Sequence, residues 1–253
     1  MNSVSVVIPV RNDRDLLDRC LTALANQTVA AHEIIIVDNA STDDSAAVAK
    51  SHGARVIEEH RVGIPCAAAA GYDSARGAII ARCDADTIVG PDWIQTITAA
   101  LVEKPQVSAV TGWGVFYDLP PVLRHVSAAL YLGSYYALGG LAAGHHVLWG
   151  SSMAIRKSAW NRVSSLVHRD NPELHDDMDL ALVLGPNAKI SLVPALRVGV
   201  SGRSIHLSRQ WRPRMSRAFR TLNVNWRVMP PWDRWYHRLT SSKKLPGKEM
   251  GEQ

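Results

Sequence analysis

From Val4 to Arg82 the sequence alternates short β-rich runs with amphipathic helical segments, and no other feature restricts the fold as much. "SVSVVIPV" is β-rich and ends at Pro9 and Val10, after which Asn12 or Asp13 can cap a helix with the apolar stripe Leu16, Leu17, Cys20, Leu21 and Leu24. "EIIIVD" repeats the pattern, and Ser41 with Asp44 three residues later has the spacing of a capping box for a second helix. "ARVIEE", an alanine-rich helix from Ile64 to Ala75 and the run "AIIARC" continue it. A β-α-β order repeated in this way predicts an α/β fold with a mainly parallel central sheet flanked by helices. Ligands of such sheets bind beyond the carboxyl ends of the strands, and Arg11, Asp38, Asp84 and Asp86 each fall just after a predicted strand.

After Pro91, read as a first helical residue, a helix is expected to about Lys104, then a strand near "VSAVTGW". The uncharged segment "VSAALYLGSYYALGGLAAG", residues 126–144, has about the length of a membrane span, roughly 20 residues. Its glycines, serines and tyrosines make it weakly apolar, so a buried or interfacial helix is the expectation. "VLWGSSMAI", the acidic "HDDMDLALVL" and a strand near "KISLVP" read as the second half of the same domain.

Composition closes off several classes. An apolar share of 47% and a charged share of 20% exclude a disordered or fibrous chain, and 253 residues suit one large α/β domain with appendages. Cys20, Cys66 and Cys83 follow no CxxC pattern, which argues against a disulfide framework and a zinc site and for a reducing, cytoplasmic setting. No basic start, apolar core and cleavage site precede "SVVIPV", so no secretory leader is expected.

The stretch "ARCDADTIVG" places Asp84 and Asp86 one residue apart. On extended backbone they share a face, and two hard oxygen donors there suit Mg2+ or Mn2+, with waters and substrate phosphates as further ligands. The other reading of the residues alone is a pair of acids that cap the following turn.

The ordered set "VSVVIPVRN", "EIIIVDNASTDDS", "RVGIPCAAAAGYDSARGAIIARCDADTIVGPDWI", "WGSSMAIRKSAW" and "HDDMDLALVL" resembles the family 2 glycosyltransferases of the GT-A fold, from Val4 to about Leu184. The resemblance implies a Rossmann-like GT-A domain over residues 1-200, with a donor half over about 1-115 and an acceptor half over about 116-200. It places Pro9, Val10, Arg11 and Asn12 at the turn into the nucleotide pocket, Asp38 toward the base or ribose, and Ser41 in the turn that follows. Asp84 and Asp86 match the family's Asp-x-Asp, whose second member typically ligates Mn2+ or Mg2+ while the first lies near the ribose. Asp176 and Asp177 fall on its Glu-Asp pair, which makes Asp177 the expected general base, and Trp149, Gly150 and Ser151 match the segment on the acceptor side. His206 is a candidate third metal ligand. Departures fall at Val10 and Arg11, where the family often has an aromatic residue, at Ala68 and Ala69, where it often has Arg-Asn, and at Asp176, where it usually has Glu.

The implied activity is inverting, metal-dependent transfer of a sugar from a nucleotide diphosphate donor, with UDP first and GDP or dTDP next, to an envelope lipid, glycan or polyprenyl phosphate. A sugar-phosphate nucleotidyltransferase is the weaker reading, because "PVRNDRD" lacks the glycine-rich loop expected after the first strand; a non-catalytic nucleotide-sugar or membrane-surface module is the other. Residues 201-253 read as a basic, Trp-rich helical extension ending in a flexible tail, "SSKKLPGKEMGEQ". There Trp211, Phe219, Trp226, Trp232 and Trp235 interleave with arginines, a pattern that suits an anionic membrane surface or a helix face packed on its own tryptophans. Nucleic acid is not an expected partner. The expected station is cytoplasmic, peripheral on the inner face of the cell membrane.

Overall fold

The structure is a computed structural model that describes residues 3–186, 188–204 and 211–241. Its strands are β1 (Val4–Val10), β2 (Glu33–Asp38), β3 (Arg55–Glu58), β4 (Ile79–Arg82), β5 (Ile88–Val89), β6 (Val107–Phe116), β7 (Met153–Arg156) and β8 (Lys189–Val200). They form one eight-stranded sheet in the order β3-β2-β1-β4-β7-β6-β8-β5. The helices are α1 (Arg14–Ala25), α2 (Ser45–Ser51), α3 (Ile64–Ser74), α4 (Trp93–Glu103), α5 (Pro121–Ala143), α6 (Lys157–Val163), α7 (Asp176–Leu184), α8 (Trp211–Val228) and α9 (Pro231–Ser241).

The sequence pattern explains the first half directly. Val4, Val6, Val7, Ile8 and Val10 of β1 are all buried, because helices cover both faces of a central parallel strand and leave no solvent side for polar residues. α1 buries Leu17, Cys20, Leu21 and Leu24, the predicted stripe. α3 lies so close to the sheet that a Cβ at Gly71 would stand 2.3 Å from Val7 Cγ1 and 2.8 Å from Val37 Cγ2. Only glycine permits that approach.

The sheet is mixed. β3, β2, β1 and β4 are parallel neighbours, and β6 is parallel to β8, but β7 runs against both β4 and β6, and β5 runs against β8. This reversal places the site. Arg82, at the end of β4, stands opposite Met153, at the start of β7. Residues just ahead of Met153 therefore arrive beside those just past Arg82.

The apolar segment forms α5, which turns Ala128, Leu132, Tyr136, Gly139 and Ala143 toward the fold. Tyr136 Oη donates to the Gly112 carbonyl at 2.6 Å and Tyr135 Oη to the Leu148 carbonyl at 2.5 Å, fixing the loop that leads into Trp149. α7 is braced from the C-terminal side. Buried Asp179 accepts bonds from His168 Nδ1 at 2.8 Å, from the His168 backbone N–H at 2.9 Å and from Asn225 Nδ2 of α8 at 2.7 Å, while Thr221 Oγ1 accepts the His175 N–H at 2.9 Å.

Local expectations differ from the structure in two places. No capping box joins Ser41 to Asp44: α2 begins at Ser45, whose N–H and Oγ donate to Asp43 Oδ1 at 3.0 and 2.6 Å, and Ser41 is engaged with β1's loop instead. α4 starts at Trp93, two residues beyond Pro91, with Asp92 in the cap position. The last stretch, from residue 242, lies outside the described residues.

Gly71→Val is expected to lower stability by about 1–3 kcal/mol, the usual cost of overpacking a filled core, read as a reduced urea midpoint.

Candidate active site

β4 ends in an arginine that has no access to water. The Arg82 side chain is 3% exposed at the end of an otherwise apolar strand, and a buried cation must be paired to be tolerated. Its Nη1 donates to Asp176 in a very short contact, and its Nη2 donates to Asp84 Oδ1 at 3.1 Å. Burial works against its charge, yet Asp176, then Tyr72, Asp84 and Asp177, hold it well above its ordinary protonation range. A Cβ at Gly150 would fall 2.7–2.9 Å from three atoms of this guanidinium, so the loop can cross Arg82 only at a glycine.

The same loop ties the acids together. The Gly150 N–H donates to Asp177 Oδ2 at 2.8 Å, and Ser151 Oγ donates to Asp84 Oδ2 at 2.5 Å. Asp177 Oδ1 accepts the Met178 N–H at 2.7 Å. Asp176 and Asp177 open α7, where the positive end of the helix dipole favours carboxylates. Burial pushes the Asp176 carboxyl upward; Arg82 pulls it back, and Asp177 and Asp84 push it up again, leaving it raised. Trp149 is buried, and its backbone N–H donates to Thr111 Oγ1 of β6 at 3.0 Å, which ties this loop to the sheet.

Asp84 and Asp86 lie on a turn past the end of β4, with their carboxylates near each other. β4 ends at Arg82, and the Thr87 N–H donates to the Asp84 carbonyl at 3.0 Å, closing a turn over Ala85 and Asp86. Arg82 and Ser151 hold Asp84, Ala85 is buried, and Asp86 meets a different cation. Asp86 Oδ2 accepts from Arg203 Nη2 at 2.9 Å, and its backbone carbonyl accepts from Tyr117 Oη at 3.2 Å. Burial and the nearby Asp84 raise the Asp86 carboxyl, with Arg203 opposing. Arg203 also donates to both oxygens of Asp13, at 3.2 and 2.9 Å.

The predicted nucleotide-side residues form a second group at the carboxyl ends of β1 and β2. Asn12 and Ala40 both adopt left-handed backbone, φ 53° and 57°, a conformation that costs a side-chain-bearing residue about 1–2 kcal/mol. Mutual bonds hold them there: the Asn12 N–H donates to Ser41 Oγ at 3.1 Å, the Thr42 N–H to Asn12 Oδ1 at 2.6 Å, and the Ser41 N–H to Asp38 Oδ1 at 3.1 Å. Val10 pairs with Asp38 across the strands, but its side chain belongs to the core, so only its backbone can meet a ligand. Pro9 is half-buried and Arg11 exposed at the same end. Arg203, through Asp13 and Asp86, joins this rim to the Asp84 turn.

For a divalent cation the available donors are Asp86 and Asp84. Among the described residues no group of three or more His, Cys, Asp or Glu side chains gathers into a ligand cage, and His206 lies outside them. One or two carboxylates without a cage fit Mg2+ or Mn2+, which keep waters and phosphate oxygens as their remaining ligands. Asp86 already faces a cationic group, Arg203. The residues present therefore fit the group.

The sequence reading missed Arg82, Asp13 and Arg203. Arg82 left a signal, a lone arginine closing an apolar run ahead of two aspartates. Arg203 left none, because its partners lie 117 and 190 positions away.

The profile described as glycosyl transferase family 2 matches residues 5–166, well over half of the chain. The chain belongs to this family. Among curated family 2 relatives, an uncharacterized glycosyltransferase of Escherichia coli, YibD, is 31% identical over 162 residues, covering 58% of this chain and 47% of that protein. An uncharacterized glycosyltransferase of Mycobacterium tuberculosis is 41% identical over 85 residues, covering 34% of this chain and 37% of its own length. The chain spans less than half the length of these relatives. Among solved structures, glucosyl-3-phosphoglycerate synthase of M. tuberculosis, in complex with Mn2+, UDP and phosphoglyceric acid, superposes with a TM-score of 0.63 at 19% identity, covering 88% of this chain and 78% of that one. A mannosyltransferase from Pyrobaculum calidifontis, in complex with GDP-Man and Mn2+, gives 0.62 at 18% identity, covering 96% and 76%. These likenesses establish the GT-A fold.

Arg82→Met is expected to cost about 3–5 kcal/mol in chemical denaturation, because it leaves Asp84 and Asp176 facing each other without their shared cation.

Proposed function

We propose that this chain transfers a sugar from a nucleotide diphosphate donor, a UDP-sugar first and a GDP- or dTDP-sugar next, to a hydroxyl of a glycan or lipid-linked acceptor, with inversion at the anomeric carbon. One observation carries the reading: Asp84, Asp176 and Asp177 converge on Arg82 and Gly150 at the carboxyl end of the sheet, next to the strained rim of Asn12, Asp38 and Ser41. The structural neighbours with UDP or GDP-Man and Mn2+ support it.

The three acids differ in what holds them. Asp84 and Asp176 are committed to Arg82, whereas Asp177 is held by two backbone N–H groups. A carboxylate has about four acceptor positions, so Asp177 keeps capacity for one more hydrogen bond. An acceptor hydroxyl bonded there gives its proton to Asp177 as its oxygen attacks the anomeric carbon. The bond from that carbon to the diphosphate breaks, and its electron pair leaves with the nucleotide. Attack opposite the leaving group inverts the centre without a covalent intermediate. Asp86, with Asp84 near it, would hold Mn2+ or Mg2+, which supplies charge to neutralise the departing diphosphate. Asp38 and the backbone of Pro9–Asn12 face the nucleoside; Gly150 and Ser151 shape the acceptor side. The station of this reaction is the cytoplasm, at the inner face of the membrane.

Asp177→Asn is expected to lower the transfer rate by about 10²–10⁴-fold while calorimetric binding of the donor nucleotide with Mn2+ stays intact. Loss of nucleotide binding along with activity would remove Asp177 from the role of base. Arg203→Ala, by freeing Asp86, is expected to tighten binding of Mn2+ alone by up to about fivefold, the range a half-exposed ion pair spans. Weaker Mn2+ binding in that variant would contradict the assignment of Asp86.

A further inference from the structure

α5 is a helix of 23 residues in which only 22% of the most apolar stretch is buried. Its inner stripe is used up by the fold, since Ala128, Leu132 and Tyr136 pack inward, so it is not available to cross a bilayer. The opposite side is also apolar: Val122, Val126, Leu130, Leu138 and Leu141 are exposed, Leu130 by 71% and Leu138 by 66%. A soluble helix ordinarily turns charged residues to that side.

α9 shows the same inversion in a sharper form. Its buried anchor is Arg234, which donates to the Leu182 carbonyl at 2.9 Å and to the Met229 carbonyl at 2.9 Å. Its outward side carries Trp232, Tyr236 and Leu239, spaced to share one helix face, with Trp232 69% and Tyr236 67% exposed. α9 is tied to the last turn of α5: Trp235 Nε1 donates to the Leu141 carbonyl at 2.8 Å and Arg238 Nη1 to the Gly144 carbonyl at 2.6 Å. The exposed aromatics of α9 thus adjoin the exposed leucines of α5. Of the tryptophans read from the sequence as surface candidates, Trp226 and Trp235 point their N–H groups to carbonyls at the end of α5, and Trp232 is turned out.

The C-terminal sequence that carries α8 and α9 is strongly basic. Residues 201–241 contain nine arginines and a single acid, Asp233. Arg212 and Arg227 of α8 are exposed, with Phe219 on the same helix, and Arg238 is exposed on α9, while Arg220 is paired with Glu173. We propose that the outward faces of α5 and α9 dock on an anionic phospholipid bilayer, the aliphatic and aromatic side chains entering the headgroup boundary and the arginines meeting lipid phosphates. A second copy of this chain fits less well, because an isologous contact would set two arginine-rich surfaces against each other. The inner side of α5 holds the loop ahead of Trp149, so a docked helix would stand directly behind Gly150 and Ser151. This inference deepens the proposed station at the inner face of the membrane, and its test reads vesicle binding, which is separate from the transfer reaction.

The test is co-sedimentation of the full chain with phosphatidylglycerol-containing vesicles and with pure phosphatidylcholine vesicles, for the parent, Trp232→Ser with Tyr236→Ser, and Leu130→Gln with Leu138→Gln. Binding to the anionic vesicles that weakens with salt and falls at least tenfold in each double variant is the expected result. Equal partition onto both vesicle types, or partition untouched by the substitutions, overturns the proposal. So does a dimer in vesicle-free buffer that the same substitutions dissociate, which assigns the face to a second copy. Hydrogen exchange of the parent gives a reading that needs no variant: slowed exchange in α5 and α9 on vesicle addition supports docking, and unchanged exchange overturns it.

Discussion

A cation sealed inside a strand end governs this site. Arg82 cannot reach water, and the energy of an unpaired buried guanidinium exceeds anything the surrounding packing returns. Its neutralisation therefore fixes the neighbourhood: Asp84 must turn inward, the first residue of α7 must be acidic and close, and the loop entering β7 must cross at a residue without a side chain. The antiparallel pairing of β7 with β4 makes this possible, since a parallel strand would bring the wrong end of the segment to Arg82.

That arrangement also separates tasks among acids that look equivalent in the sequence. Asp84 and Asp176 are spent on the guanidinium, Asp177 rests on backbone amides, and Asp86 stands on the turn against Arg203. Environment, more than residue type, differentiates them. The left-handed Asn12 and Ala40 at the neighbouring strand ends fit the same logic, because strained backbone persists where a surrounding hydrogen-bond set over-determines it and a ligand is to be met.

The first half of the fold was legible from residues 3–82 because its elements carry their own periods: β1 and β2 are apolar runs of strand length, and α1 shows its stripe. The β7 and β8 pairings were not, since they join residues more than 40 positions apart that no local period encodes. At the site, the identities of Asp84, Asp86, Asp176 and Asp177 could be picked out through resemblance, but not the group that holds each of them. Alternation predicts a shared face only while backbone stays extended, and the Asp84–Thr87 turn ends that condition. In the C-terminal helices composition pointed to arginine with tryptophan, yet which indoles face inward depended on free carbonyls at the end of α5, a tertiary fact.

The Asp179 junction has a consequence for how such chains can be recombined. Asp179 of α7, His168 in the loop before it and Asn225 of α8 satisfy one another in a place where a missing partner would strand a buried carboxylate. The helix that presents Asp176 and Asp177 is therefore inherited together with α8. A graft that exchanges the C-terminal helices between relatives must carry all three residues as one block, or the seam will fall beside the candidate site.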